Sequence, residues 1–431
     1  MTAHSLFLEY KDLLEVSARQ VGLQRHRSTD AGLGLEGEAA PGEVADYRWR
    51  SLPPSSCLDA LPAEVAGAPA QRLFEAPALA GPDEERLDRL AERLRAATRE
   101  EGLESAHVTL REVDRRILWW DADGVRTDRQ RYAQVDLRVS VNERNPAHAT
   151  ALMQSYADGA DVEASWPVLR EAVAELARTA RLKAHLEPCP HGAMPVVMPP
   201  GPPAGVFFHE VCGHPLEGDL VLRQSSYLAQ RLGEAVGPEF LSVADVPGDS
   251  RGRVAYALDD EGVPARAAWL LRAGRVTEPM LDRRTAAALG LPPNGHGRRT
   301  SYRHRALPRM SHTEVQPHQG SLEGILAGVE RGLLVTYLTP RHIHMLSGEF
   351  CFNLVEAREV RDGKLGAFVA PGLLRGNGLQ ALRDIDAVGA DSANLFGVRG
   401  CGKLDQPSLP VSFGQPTVRF RHLTLEPAAA P

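Results

Sequence analysis

Apolar positions along the chain change period several times, and each change marks an element. In residues 83–101, Leu87, Leu90, Ala91 and Leu94 recur at helical spacing. Asp83 is placed to cap this amphipathic helix and Gly102 to end it. Residues 107–120 then read as a strand. Asp121, Ala122, Asp123 and Gly124 form a turn signal, and Val135, Leu137, Val139 and Val141 alternate in a second strand. Trp119 and Trp120 are read as sheet packing. Residues 168–186 predict another amphipathic helix, with Pro167 suited to its first turn. Residues 5–16 are apolar-rich without a clean period, and the first 80 residues predict no firm element.

Residues 188–205 contain seven prolines, with a short strand expected at 196–198. This stretch is the predicted domain boundary. Beyond it strands dominate. Residues 240–246 and 253–258 are expected to pair across the run 247–252, and residues 350–365 to pair through an Asp362-Gly363 turn. A short helix is expected at 321–331, capped by Ser321, with Leu322, Ile325, Leu326 and Val329 as its stripe and Gly332 as its stop. Residues 426–431 read as a loose tail. The expected fold is α+β: an N-terminal mixed domain over 1–190, then a mostly β C-terminal domain over 191–431.

Composition narrows the class. With 431 residues, 43% hydrophobic and 24% charged, the chain has the material of a multidomain soluble protein. A net charge of −7 disfavours general nucleic-acid binding. No apolar run reaches membrane length and no secretory pattern opens the chain, so a cytoplasmic protein without a membrane partner is expected. Five cysteines, at 57, 189, 212, 351 and 401, fit free or metal-bound thiols better than a disulfide framework.

Two familiar patterns occur in the wrong setting. Gly32, Gly34 and Gly37 spell a dinucleotide-binding motif, but a polar run precedes it and Pro41-Gly42 follows. Gly248, Ser250 and Gly252 spell a serine-hydrolase elbow, but a strand-like segment follows where a helix is required. The basic run 294–310, with Arg298, Arg299, Arg303, Arg305 and Arg309, reads as a solvated loop or ion-pair network. Its alternative is a site for a peptide carboxylate or phosphate.

The strongest chemical signal is His209-Glu210-Val211-Cys212-Gly213-His214. Imidazole is the commonest side-chain metal ligand, and a neighbouring glutamate suits a general base. The spacing exceeds the zinc-protease pattern His-Glu-x-x-His by one residue. On a regular helix, positions i and i+5 point about 140° apart. A widened π-type turn, or an exit from the helix, brings them together. Gly213 loosens the backbone at that point and Pro215 disfavours helix at His214. The bland alternative is a helix end with one capping and one surface histidine. A catalytic zinc takes a third protein ligand, for which Cys212, Glu217, the pair His342 and His344, and Cys401 all stand as candidates. Glu217 is alternatively an orienting partner for a histidine, and Lys403 a group that favours the Cys401 thiolate.

The region from about 195 to 420 resembles the TldD/PmbA family of cytoplasmic peptidases. The likeness rests on the histidine motif with Leu216-Glu217-Gly218-Asp219, and on Asn294-Gly295, Gly297-Arg298-Arg299 and Ser301-Tyr302. It continues through Pro308-Arg309-Met310, Val329-Glu330-Arg331-Gly332, Ser347-Gly348 with Phe350, Gly376-Asn377-Gly378, Cys401-Gly402-Lys403 and Gly414-Gln415-Pro416-Thr417. The resemblance implies zinc held by His209, His214 and Cys401, with Glu210 as catalytic base. It implies cleavage of unfolded or modified peptides in a chamber shared by two subunits, the partner being a TldE/PmbA-like paralogue or a second copy. The rival classes are a peptide-binding or assembly subunit with a structural zinc, and a serine hydrolase using Ser250.

Overall fold

The structure, a computed structural model, describes residues 5–19, 22–37, 46–74, 81–103, 105–140, 146–247, 254–391 and 397–428. The N-terminal part builds an antiparallel sheet. Its strands are β1 (Ser5–Arg19), β2 (Gly22–Glu36), β3 (Tyr47–Ser51), β4 (Ser105–Asp121), β5 (Gly124–Ser140) and β6 (Thr150–Tyr156), in the order β3-β2-β1-β4-β5-β6. Helices α1 (Ala68–Phe74), α2 (Glu84–Glu100), α3 (Gly159–Ala164) and α4 (Trp166–Leu182) accompany it. The expected stripe of α2 is buried, together with Leu169, Val173 and Ala177 of α4, against Leu14, Val16, Val108, Leu110, Val135 and Leu137 of the sheet. The Asp83 side chain accepts from the Arg86 amide, capping α2 as its position predicts.

The long strand β1 escapes a periodicity reading because its first half is buried on both faces. Leu6, Leu8 and Tyr10 join one apolar cluster, while Phe7 joins Ile117, Trp119 and Tyr302 on the other side. Trp119 is indeed sheet packing. The Gly32 and Gly34 pattern lies within β2 and cradles no phosphate loop. A Cβ on Gly32 would stand 2.1 Å from Tyr302 Cε2, and one on Gly34 would stand 1.9 Å from Tyr47 Oη. These glycines admit tyrosine rings.

From Gly192 the chain forms β7 (Gly192–Met198), α5 (Pro202–Phe208), α6 (Gly218–Leu222), β8 (Val243–Asp245), β9 (Ala268–Arg272) and β10 (Arg275–Val276). Then come α7 (Arg283–Leu289), β11 (Gly297–Arg298), β12 (Leu307–Pro308), β13 (His312–Val315), α8 (Leu322–Ala327), β14 (Arg331–Ile343), β15 (Glu349–Arg361) and β16 (Lys364–Phe368). The last elements are β17 (Gly372–Asn377), α9 (Gly378–Arg383), β18 (Ile385–Val388), β19 (Gly397–Lys403), β20 (Gln406–Gly414) and β21 (Val418–Pro427). The pairings β14-β7-β21-β17-β15 close on themselves, because β14 also pairs with β15. A second sheet runs β10-β9-β8-β13-β20-β19. The fold is α+β, with a strand-rich C-terminal part. No helix among the described residues is long and apolar enough to cross a membrane.

Several local expectations shift. Residues 254–258 form no strand. The Val254 amide goes to Ser412 Oγ, and those of Ala257 and Leu258 go to Asp128 Oδ2. Acceptors from distant elements thus replace most of the expected ladder, of which the Tyr256 amide to the Pro247 carbonyl at 2.9 Å remains. The Ser250 motif lies outside the described residues, as does Pro41-Gly42. Ser321 caps α8 as expected, but α8 ends at Ala327, and Gly332 already belongs to β14. Glu426 and Pro427 are part of β21 rather than tail.

Candidate metal centre

Helix α5 carries two prolines at its start, where missing amides cost nothing. It buries Phe207 against Phe350, Phe352 and Phe420 at ring distances of 5.4, 5.7 and 4.9 Å. That aromatic anchor fixes where the next turn begins. Residues His209–Gly213 form a π-helical turn, in which the His214 amide donates to the His209 carbonyl. The widened turn brings the two imidazoles together, with ring centres 5.0 Å apart and planes at 80°. A 3-10 turn, His214–Leu216, follows, and the chain becomes extended at Glu217. His214 itself stays helical despite Pro215. Gly213 has an ordinary helical φ of −63°. A Cβ there would meet Met310 Sδ at 2.1 Å, so this glycine serves close packing rather than an unusual backbone angle.

Cys401 arrives from the far end of the chain on β19, the edge of the second sheet. Its Sγ lies 3.4 Å from His214 Nε2. Ligand atoms of His209, His214 and Cys401 all fall within 4.8 Å of one another. His209 and Cys401 are buried and His214 is half-buried. Glu210 Oε2 lies 3.9 Å from His214 Nε2.

A supporting layer of charges surrounds the cluster. Glu217 Oε2 sits 3.4 Å from His214 Nδ1 and 3.0 Å from Lys403 Nζ. Lys403 Nζ also donates to Asp219 Oδ1 at 2.6 Å and to the Pro308 carbonyl at 3.1 Å. Arg309, fully buried, donates through Nη2 to the Cys401 carbonyl, and its Nε stands 3.9 Å from Glu217 Oε1. Burial alone would raise the Glu217 carboxyl, but Lys403, then His214 and Arg309, bring it down to about 2. Burial likewise opposes the Cys401 thiolate, and the adjacent His214 and His209 outweigh it, lowering the thiol to about 4. His214 moves the other way. Burial lowers it, while Cys401 and Glu217 raise it well above the usual histidine range.

The other ligand candidates are elsewhere. Cys212 is fully buried in the apolar core, and that burial pushes its thiol up. His342 and His344 are exposed, and His344 Nδ1 lies 2.9 Å from Ser347 Oγ. Glu217 takes the orienting position beside His214. Lys403 serves Glu217 and Asp219 rather than the sulfur. The basic run is not a solvated loop at its key positions, since Arg298, Arg299 and Arg309 are wholly buried. Arg298 donates to the carbonyls of Met310 and Pro410. From the sequence Asp219 had no role of its own, and Arg309 only that of a member of the basic run. Both stand within residues that carry the family resemblance, but their partners were hidden because the contacts that define them span 184 and 92 positions.

Two nitrogens and one sulfur, with a thiol easily ionised, suit zinc by donor type. Tetrahedral bonds of ~2.0–2.3 Å separate ligand atoms by roughly 3.3–3.8 Å; Cys401 Sγ and His214 Nε2, 3.4 Å apart, already meet that spacing, and all three ligand atoms lie within 4.8 Å. The buried His209 Nδ1 has no hydrogen-bond partner, which leaves one donor atom of that ring unengaged.

Comparison with known proteins gives the same direction. Residues 191–426 match the PmbA/TldA metallopeptidase C-terminal domain. A metalloprotease TldD homolog of Haemophilus influenzae is 33% identical over 251 residues, covering 58% of this chain and 52% of that protein. A zinc metalloprotease TldD homolog of Saccharolobus solfataricus is 31% identical over 234 residues, covering 54% and 51%. The chain thus aligns with about half the length of these curated relatives. The solved structure of TldE from Thermococcus kodakarensis has the same fold, with a TM-score of 0.72 at 16% identity over 98% of this chain and 96% of that one. From the match over more than half of its length, the chain belongs to the PmbA/TldD metallopeptidase family.

Proposed function

We propose that the chain is a zinc-dependent peptidase acting on unfolded or modified peptides in the cytoplasm, with residues 191–431 as its catalytic domain and residues 1–190 as a separate N-terminal domain. The observation that carries this reading is the convergence of His209, His214 and Cys401, with the Glu210 carboxylate beside them. Those three side chains hold the zinc ion. A zinc ion bound there supplies Lewis acidity and makes a coordinated water acidic near neutral pH. Glu210 accepts a proton from the attacking water and returns it to the departing amine. Glu217 fixes the His214 ring through Nδ1, and Lys403 keeps Glu217 ionised. A TldE-like paralogue or a second copy completes the working particle.

The reading of a closed structural zinc finds less support. A closed shell needs a fourth protein ligand such as Cys212 or His342, and these lie in the core and at the surface respectively. Substituting Glu210→Gln tests the peptidase reading. Zinc content by elemental analysis should stay at wild-type level, while turnover of an unfolded peptide falls by about 10²–10⁴-fold. His209→Ala and Cys401→Ser should lose the metal itself. Full turnover in Glu210→Gln would defeat the assignment.

A further inference from the structure

Between the N-terminal sheet and β20 lies a small cavity that takes no part in the metal-centre reading. Lys11 of β1, Arg115 of β4 and Tyr132 of β5 line it on one side, Arg299 and Leu409 on the other. It leaves about 20 Å³ free to the centre of a water-sized sphere. That is room for one water or an ion of similar size, and little more.

Direct pairing of the charges around this space is incomplete. Arg131, also at the wall, is paired with Glu112 at 3.0 Å. Arg115 reaches Glu9 at 2.6 Å and Asp260 at 2.8 Å, yet its Nη2 is buried without an acceptor. Arg299 is wholly buried, and its bonds go to neutral oxygens: Tyr47 Oη at 2.9 Å and the carbonyls of Asp260 and His304 at 2.8 and 3.3 Å. Its Nε has no acceptor. Lys11 makes no hydrogen bond or ion pair among the described residues. By direct contact these three cations have two carboxylates; Asp30 also acts on Lys11 but is paired with Arg303, and Glu36 and Glu261 act on Arg299 without bonding it. Both carboxylates also accept backbone amides, Glu9 from Tyr302 and Asp260 from Arg299. A water in the cavity satisfies donors but brings no counter-charge to Lys11, the cation here without a direct partner, and burying an unpaired charge is costly. Burial accordingly lowers the Lys11 pKa.

We propose that this cavity binds one small monovalent anion, of the size of chloride, between Lys11, Arg115 and Arg299. The ion meets three cations in a space largely closed to bulk water, where charge interactions are least screened. It joins β1 and β4 to Arg299 and to β20, the neighbour of the strand that carries Cys401. Its effect is on the seating of the N-terminal sheet. Sulfate is too large for the space and carries twice the charge.

The test uses the full-length protein, with its melting temperature followed as gluconate is exchanged for chloride, bromide or formate at constant ionic strength. Chloride and bromide should give a saturable rise of about 1–3 °C over the millimolar range, and formate, larger than chloride, a smaller one. Sulfate stabilises many proteins without a site and should show no saturation. Crystals grown in bromide should show an anomalous peak in the cavity. Lys11→Met should abolish the saturable rise and Lys11→Arg should keep it. The proposal is overturned by a cavity without a peak, by a peak without saturable stabilisation (an adventitious ion only), or by an unchanged response in Lys11→Met. Should Lys11→Met fail to fold, the bromide map and the Lys11→Arg titration decide.

Discussion

Glu217 illustrates how one side chain can serve a metal centre without touching the metal. It contacts His214, Lys403 and, more distantly, Arg309, and it is almost completely buried. Its carboxyl is held at about 2 against an ordinary 4.5. The folded state therefore releases this proton more readily than the unfolded state. The stabilisation is fully present above about pH 4.5 and is lost as pH falls through 4.5 towards 2. The expected contribution is on the order of 3 kcal/mol. Acid unfolding of metal-free protein, followed by circular dichroism, should show this limb, and Glu217→Gln should flatten it. Glu217→Gln should also weaken zinc binding by about 10–100-fold in a chelator competition, because His214 loses its orienting partner. Equal zinc affinity in the two proteins would remove Glu217 from its positioning role.

At the scale of elements, the π turn between α5 and Glu217 is the decisive local structure. Its geometry was legible in the sequence: six residues from histidine to histidine cannot face one point on a regular helix, and a widened turn is one of two remedies. The reason for Gly213 was not legible, since Met310 lies 97 positions away and only the folded chain brings them together. Gly213→Ala should cost about 1–3 kcal/mol by overpacking, measured by urea denaturation, and should reduce zinc retention as the turn shifts. A variant with unchanged stability and zinc content would show that the close contact with Met310 is unimportant. Helices α2 and α4 were readable because each buries one face, which leaves a period in the sequence; the β4–β5 hairpin was readable from its Asp121–Gly124 turn and the alternation of Val135, Leu137 and Val139, although β4 is buried on both faces over 112–119. Strands β1 and β2 were not. Part of β1 is buried on both faces, and β2 has its long polar run exposed before the buried Ala31–Gly34. The expected strand at 254–258 failed because apolar alternation there serves contacts with other elements rather than a ladder.

For the whole molecule, the metal cluster links the middle of the chain to its end, and Tyr302 and Arg115 link the C-terminal part to the N-terminal sheet. Such long-range links are invisible to local patterning; the family resemblance was what singled out Cys401 from the other cysteines. The account predicts that native mass spectrometry of the chain, alone and with a co-expressed paralogue, will show a two-subunit particle with at least one zinc. A monomer in both preparations would contradict the shared-chamber proposal. The most direct test of the central claim is X-ray absorption at the zinc edge on purified protein. The account predicts one sulfur neighbour, two imidazole nitrogens and one light-atom position not supplied by the chain. A zinc shell with two sulfurs, with four protein ligands, or without the sulfur of Cys401 would contradict it.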